Sequence, residues 1–162
     1  LVAVNSYWLK KESFDRLHAQ ILEYHAPRKN KKISNNFKER LKILLPHLLE
    51  RNSIITELAS QIDYLIYDGI PEINSEANEF LSEQSCNVLK LFSNVVDRLP
   101  SDATSFQNFI DVWLAEQKLN MKDLGIPLRV VLTGSKNAPS IFDLIQSLGF
   151  DEVNSRINEI CN

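Results

Sequence analysis

The chain has 162 residues, 44% of them apolar and 24% charged, with a net charge of −3 and only four glycines. That is room for one or two domains with a real core. It excludes a membrane span, because no apolar run approaches the roughly 20 residues needed. It also argues against a β-rich fold, because period-two alternation is rare.

In chain order, Trp8, Leu9, Phe14, Leu17, Ile21 and Leu22 recur at helical spacing over residues 5–26. Ser13 can cap within that stretch and divide it into two helices. Pro27 stops the second, and the basic loop Arg28-Lys29-Asn30-Lys31-Lys32 follows. Ser34 can cap the next helix, with Phe37, Leu41, Leu44 and Leu45 as its buried stripe and Pro46 as its kink or end. Ser53 can cap a helix carrying Ile54, Ile55, Leu58, Ile62 and Leu65. Asp68-Gly69-Ile70-Pro71 reads as a turn.

Ser75 can open a short helix with Ala77, Phe80 and Leu81. Ser85 can open another with Val88, Leu89, Phe92, Val95 and Val96. Pro100-Ser101-Asp102 breaks the chain. Phe106, Phe109, Ile110, Trp113 and Leu114 then share a face. Residues 121–133 are apolar and contain Pro127, and periodicity alone reads Leu128–Leu132 as strand or helix. The last helices carry Ile141, Leu144, Ile145 and Leu148 before Gly149, then Val153, Ile157 and Ile160. The expectation is an all-α fold of two helical subdomains, 1–66 and 67–162, with a seam near 66–74. Trp8, Phe37, Phe92, Phe106 and Trp113 lie on apolar stripes and read as core.

Charge is unevenly placed. Residues 1–52 carry a net +6, residues 53–100 a net −6 and residues 101–162 a net −3. A basic first third suits a polyanion, or no more than a solvated helix face. Cys86 and Cys161 are the only cysteines. They read as small helix residues in a reducing compartment, and nothing in the sequence asks for a bridge. His18, His25 and His47 have no metal-ligand spacing to cysteine. There is no Gly-rich phosphate loop, HExxH or GxSxG motif, so the chain reads as a binding or structural module. Leu1 opens directly into an apolar pattern, and the chain reads as part of something longer.

The richest stretch is Ile126-Pro127-Leu128-Arg129-Val130-Val131-Leu132-Thr133-Gly134-Ser135-Lys136-Asn137-Ala138-Pro139-Ser140-Ile141-Phe142. An isolated cation, an apolar run, a Thr-Gly-Ser end and a polar loop closed by proline follow one another. This stretch, with Leu148-Gly149 and Arg156-Ile157, closely resembles the C-terminal end of bacterial glutamyl-tRNA synthetases. Leu1–Lys10 is similar to the segment that follows the family's catalytic signature loop. The middle agrees in length and character, through Arg51 and Tyr64-Leu65-Ile66.

The resemblance implies the anticodon-binding half of a glutamate–tRNA ligase, all-helical, with Leu128–Leu132 as helix. The partner it implies is the glutamate tRNA, with the glutamine tRNA as a second candidate, and the expected form is a cytoplasmic monomer. ATP and Mg2+ would belong to a catalytic half whose signatures do not occur here. Arg129 resembles the family Arg that contacts the first anticodon base, held at the start of a helix. Ser135, Asn137 and Ala138 fall in the loop that receives the anticodon, and Pro139 and Ile141 at its apolar base contacts. Ala138 departs from relatives with Thr, so a hydroxyl contact is lost there.

Arg51 matches the position at which synthetases specific for the glutamate tRNA read the third anticodon base. A guanidinium can donate to O2 and N3 of cytosine, whereas guanine would displace it. Splayed single-stranded bases read on their edges need only a few such donors. Two other readings remain: a helical adaptor whose basic third docks an acidic protein, and a paralogous module acting on another tRNA.

Overall fold

The computed structural model describes residues 2–27 and 30–162, with side chains from Tyr7 onward. Among these the regular structure is helical, without strands, as expected. The chain divides into two compact units, Leu1–Asp68 and Gly69–Asn162. Arg28 and Lys29 of the basic loop lie outside the described residues.

The first unit holds α1 (Val2–Lys11), α2 (Phe14–His25), α3 (Phe37–Arg51), α4 (Ile55–Ser60) and α5 (Asp63–Ile66). Ser13 caps α2 as expected, its hydroxyl accepting from the Arg16 N–H. Leu17, Ile21, Leu41, Leu44, Leu58, Ile62, Leu65 and Ile66 form a core exposed by no more than 1%. Each such aliphatic side chain contributes about 1.5–3 kcal/mol by leaving water. Arg40 is buried too: its guanidinium donates to Leu65 O at 3.2 Å and pairs with Asp68 at 2.7 Å, tying α3 to the chain leaving α5.

Several boundaries in this unit differ from expectation. Ser34 caps no helix; its hydroxyl accepts from Asn36 N–H in a turn, and α3 starts at Phe37. Pro46 does not end α3, which runs on to Arg51. Pro46 and Lys42 are both exposed, so the hydrogen bond lost at the Lys42 carbonyl faces water. The helix expected after Ser53 is two short ones, and Ile54, extended and without a side-chain cap, precedes α4. Trp8 is 61% exposed, not core, whereas Phe37, Phe92, Phe106 and Trp113 are buried.

The second unit begins at Gly69, whose φ is 87°. A 3₁₀ turn (Ala77–Phe80) leads to α6 (Glu83–Ser93), then a second 3₁₀ turn (Val96–Arg98). After these come α7 (Ala103–Gln117), α8 (Met121–Thr133), α9 (Ile141–Leu148) and α10 (Phe150–Cys161). Helix α10 packs on α6, α8 and α9, and α6 packs on α8. Ser82 rather than Ser85 caps α6: Ser82 has the extended backbone of a cap and accepts from Ser85 N–H. Asn74 rather than Ser75 opens the first 3₁₀ turn, by accepting from Glu76 N–H.

The cysteines correct the sequence reading. Cys86 at the start of α6 and Cys161 at the end of α10 are bonded, with their Cα atoms 5.2 Å apart and 75 residues between them in sequence. The pairing follows from the packing of α10 on α6, which spacing along the chain does not reveal. No described helix is long and apolar enough to cross a membrane.

Candidate nucleic-acid interface

Helix α8 supports the site. Asn120 and Asp123 close a reciprocal capping box at its start. Leu124, Gly125, Pro127, Leu128, Val130, Val131 and Leu132 are buried along it. Burial of seven of the nine residues from Leu124 to Leu132 explains why the β-branched run reads ambiguously: a stretch apolar on most sides lacks a clear stripe. Pro127 lies inside the helix, so Arg129 is not at a helix start as expected; it lies four residues before the end of α8.

Gly134 stops α8 at φ 85°, in the left-handed region, its N–H donating to Val130 O at 2.8 Å. A Cβ on Gly134 would come 2.0 Å from the carbonyl oxygen of Glu72. Only glycine satisfies both the turn and this approach. The Gly134 carbonyl accepts from Asn74 N–H at 2.9 Å, so the loop is fastened at its first residue to the Glu72–Asn74 stretch.

Thr133 adds a second fixture. Its hydroxyl accepts from Ser135 N–H at 3.2 Å, and its one proton lies between the carbonyls of Arg129 at 2.8 Å and Ser135 at 2.9 Å. Ser135 Oγ in turn accepts from Asn137 N–H at 3.1 Å.

The far end of the loop is held by Arg129. Its Nε–H donates to Pro139 O at 3.2 Å. The guanidinium runs back along α8 over Gly125, where an added Cβ would meet Nη1 at 3.3 Å. Ser140 then caps α9, accepting from Asp143 N–H at 3.2 Å and donating to the Asp143 carboxylate at 2.8 Å.

The result is a short loop pinned at Gly134 and at Pro139. Between the pins, Lys136 and Asn137 are exposed, and Ser135 and Ala138 half-buried. Arg129 is half-buried. Pro139 is buried and Ile141 only 2% exposed, so both side chains face the protein interior. Arg51 ends α3 in the first unit and is exposed.

Three features escaped the sequence reading. Gly125 makes room for the Arg129 guanidinium. Lys136 places its ammonium 5.2 Å from the centre of the Phe80 ring. The Asn74–Phe80 stretch, expected to be scaffold, walls a cavity of ≈ 240 Å³ with Ser135, Lys136 and Asn137. Only the lysine within Gly-Ser-Lys-Asn carried a signal, since a cation in a glycine-led loop is a ready anion contact. Among the described residues no group of three or more His, Cys, Asp or Glu is placed to hold a metal ion.

Comparison with known proteins adds to this geometry. The model of a family described as "Anticodon binding domain" matches residues 14–161. Glutamate–tRNA ligase 2 of Campylobacter concisus is 30% identical over 161 residues, 97% of this chain and 32% of that protein. Glutamate–tRNA ligase 1 of Hyphomonas neptunium is 29% identical over 160 residues, 98% of this chain and 32% of that protein. Among solved structures, a glutamate tRNA ligase from Elizabethkingia meningosepticum has the same fold. Its TM-score is 0.75 over 99% of this chain and 31% of that one, at 20% identity. The chain thus spans about a third of the length of the curated relatives it matches.

Proposed function

This chain belongs to the anticodon-binding domain family, and from that premise we propose that it is the tRNA-reading C-terminal part of a glutamate–tRNA ligase. The whole enzyme would join glutamate to its tRNA using ATP and Mg2+, as a monomer in the cytoplasm. Both would be held by the catalytic half of that enzyme.

One observation carries the reading: a polar loop whose backbone is fixed at both ends by hydrogen bonds, from the Asn74 N–H to Gly134 O and from the Arg129 side-chain Nε–H to Pro139 O. Unstacked anticodon bases present donor and acceptor edges, and a loop that does not reorganise can discriminate among them at little entropic cost. Ser135, Asn137 and Ala138 supply the backbone and side-chain contacts. Arg129 holds the loop and places a positive charge beside it. Pro139 and Ile141 act from the interior by shaping the loop, and their contact with bases is through the backbone.

Arg51 is the reader of the third anticodon base and sets preference for the glutamate tRNA. Charging by the full-length enzyme should favour the glutamate tRNA over the glutamine tRNA. Equal efficiency on both would remove Arg51 from that role.

The test of the main reading is titration of the chain with a glutamate-tRNA anticodon stem-loop. Binding should weaken as salt rises. Arg129→Ala and Asn137→Ala should each raise Kd by roughly tenfold or more, an amount typical of a lost polar contact. Indifference to the anticodon sequence would favour a protein adaptor or a module for another tRNA.

A further inference from the structure

Beside the pinned loop lies the cavity of ≈ 240 Å³ whose walls are the Asn74–Phe80 stretch and Ser135–Asn137. We propose that it takes one unstacked base of the tRNA anticodon loop, a base bearing an exocyclic amino group. This rests on the reading above and adds to it a specific subsite with its own residues: Phe80, Lys136, Glu76 and Glu79.

Size is the first argument. The volume is below the roughly 300–1,000 Å³ of pockets that enclose drug-sized ligands, and suits a single flat ring system. Position is the second. The loop is itself one wall, and the opposite wall is joined to it by the Asn74–Gly134 hydrogen bond. A nucleotide reaching the loop therefore meets a cavity already formed.

The lining chemistry selects the base and not the phosphate. Phe80 is half-buried and offers an aromatic face. Lys136 covers that face as an exposed cation, 5.2 Å from the ring centre. Such an exposed cation–π contact is weak. An incoming base can replace the ammonium on the ring, and the ammonium can follow the nucleotide's own phosphate on its flexible stem. Glu76 and Glu79, both exposed at the lining, repel a phosphate and accept hydrogen bonds from an amino group. Carboxylates pair in the same way with the cytosine N4 amino group elsewhere. The ring enters, and the phosphate stays outside with Lys136.

The experiment is an abasic scan of the anticodon stem-loop, titrated against the 162-residue chain and its Phe80→Leu variant. Leucine keeps the apolar bulk at a half-buried position, and circular dichroism checks its fold. Phe80→Leu should raise Kd by about tenfold, the scale of one lost base–aromatic stack. That loss should vanish when one particular loop nucleotide is abasic and persist for the others. Lys136→Ala should weaken binding and lower the salt dependence by about one phosphate contact.

If Phe80→Leu is silent, if its effect adds to the abasic effect at every position, or if the coupled nucleotide is a uridine, the subsite is wrong. In that event the stem-loop still binds and remains sensitive to Arg129→Ala. If the unaltered chain binds no stem-loop at all, the functional reading fails and takes the subsite with it.

Discussion

The guanidinium of Arg156, fully buried, donates from α10 to the carbonyl oxygen of Leu132 near the end of α8, 2.6 Å away. Its Nε–H donates to Glu152 at 3.0 Å, and the same Glu152 oxygen accepts from Gly69 N–H at 2.8 Å. One buried ion pair thus fixes the last turn of α8, from which the pinned loop departs, and the start of the second unit. Arg156→Met would leave the Glu152 carboxylate without its cation and the Leu132 carbonyl without this donor. Breaking one side of such a pair costs about 3 kcal/mol or more, and a denaturant titration should show that loss.

Gly134→Ala should be at least as damaging. It forces a side chain into left-handed backbone and drives Cβ to 2.0 Å from Glu72 O. A loss of about 3 kcal/mol is expected from strain and collision together. Gly149→Ala shows strain without collision: at φ 83° and ψ 159° its backbone lies in a region kept essentially for glycine, but nothing lies within 4 Å of the added Cβ. That variant should lose about 1–3 kcal/mol from strain alone. A Gly134→Ala loss of only about 1 kcal/mol, the scale of left-handed strain by itself, would mean that the Glu72 approach carries no weight.

His18 should make stability depend on pH. Its ring lies between those of Phe14 and Phe37. Burial above all, and then the Lys38 charge, hold its pKa below 6.5, with Asp15 pulling the other way. The unfolded chain therefore binds the proton more readily than the folded one. His18's contribution is complete above about pH 6.5 and is lost as pH falls from there through the folded value. The urea midpoint should drop between pH 7.5 and pH 5.5, and His18→Phe should shrink the drop. An unchanged drop would assign the effect to other groups.

The Cys86–Cys161 bond closes a long loop and ties α6 to the end of α10. A crosslink over this span stabilises by roughly 4 kcal/mol in the loop-entropy model. Dithiothreitol should lower the unfolding midpoint of the unaltered chain and leave that of Cys86→Ser where it was. The alkylated mass of unreduced protein should show no free thiol.

Much of the fold was readable along the chain because helix boundaries are local. Ser13, the Asp68-Gly69 turn and Gly149 sit where the periodicity breaks, and the structure uses them as stops and starts. The misplacements arose where two serines competed three residues apart, as at Ser82 and Ser85, or where a proline faced water, as at Pro46. Local pattern is silent about which serine has the extended backbone and which proline is exposed. Trp8 failed for the opposite reason: its spacing fits an apolar stripe, yet 61% of it is exposed.

For the site, the sequence alone determined the loop between Thr133 and Ser140 and the type of residue it carries, which follow from glycine and proline. Periodicity left Leu128–Leu132 open between strand and helix, and the family resemblance gave the helix. Tertiary structure decided that the loop is pinned to Asn74, that Arg129 holds Pro139, that Ile141 turns inward and that Phe80 stands beside Lys136. It also paired two cysteines 75 residues apart. Each of these contacts joins positions from different elements, and it forms only when the burial of α6, α8 and α10 against one another fixes their register.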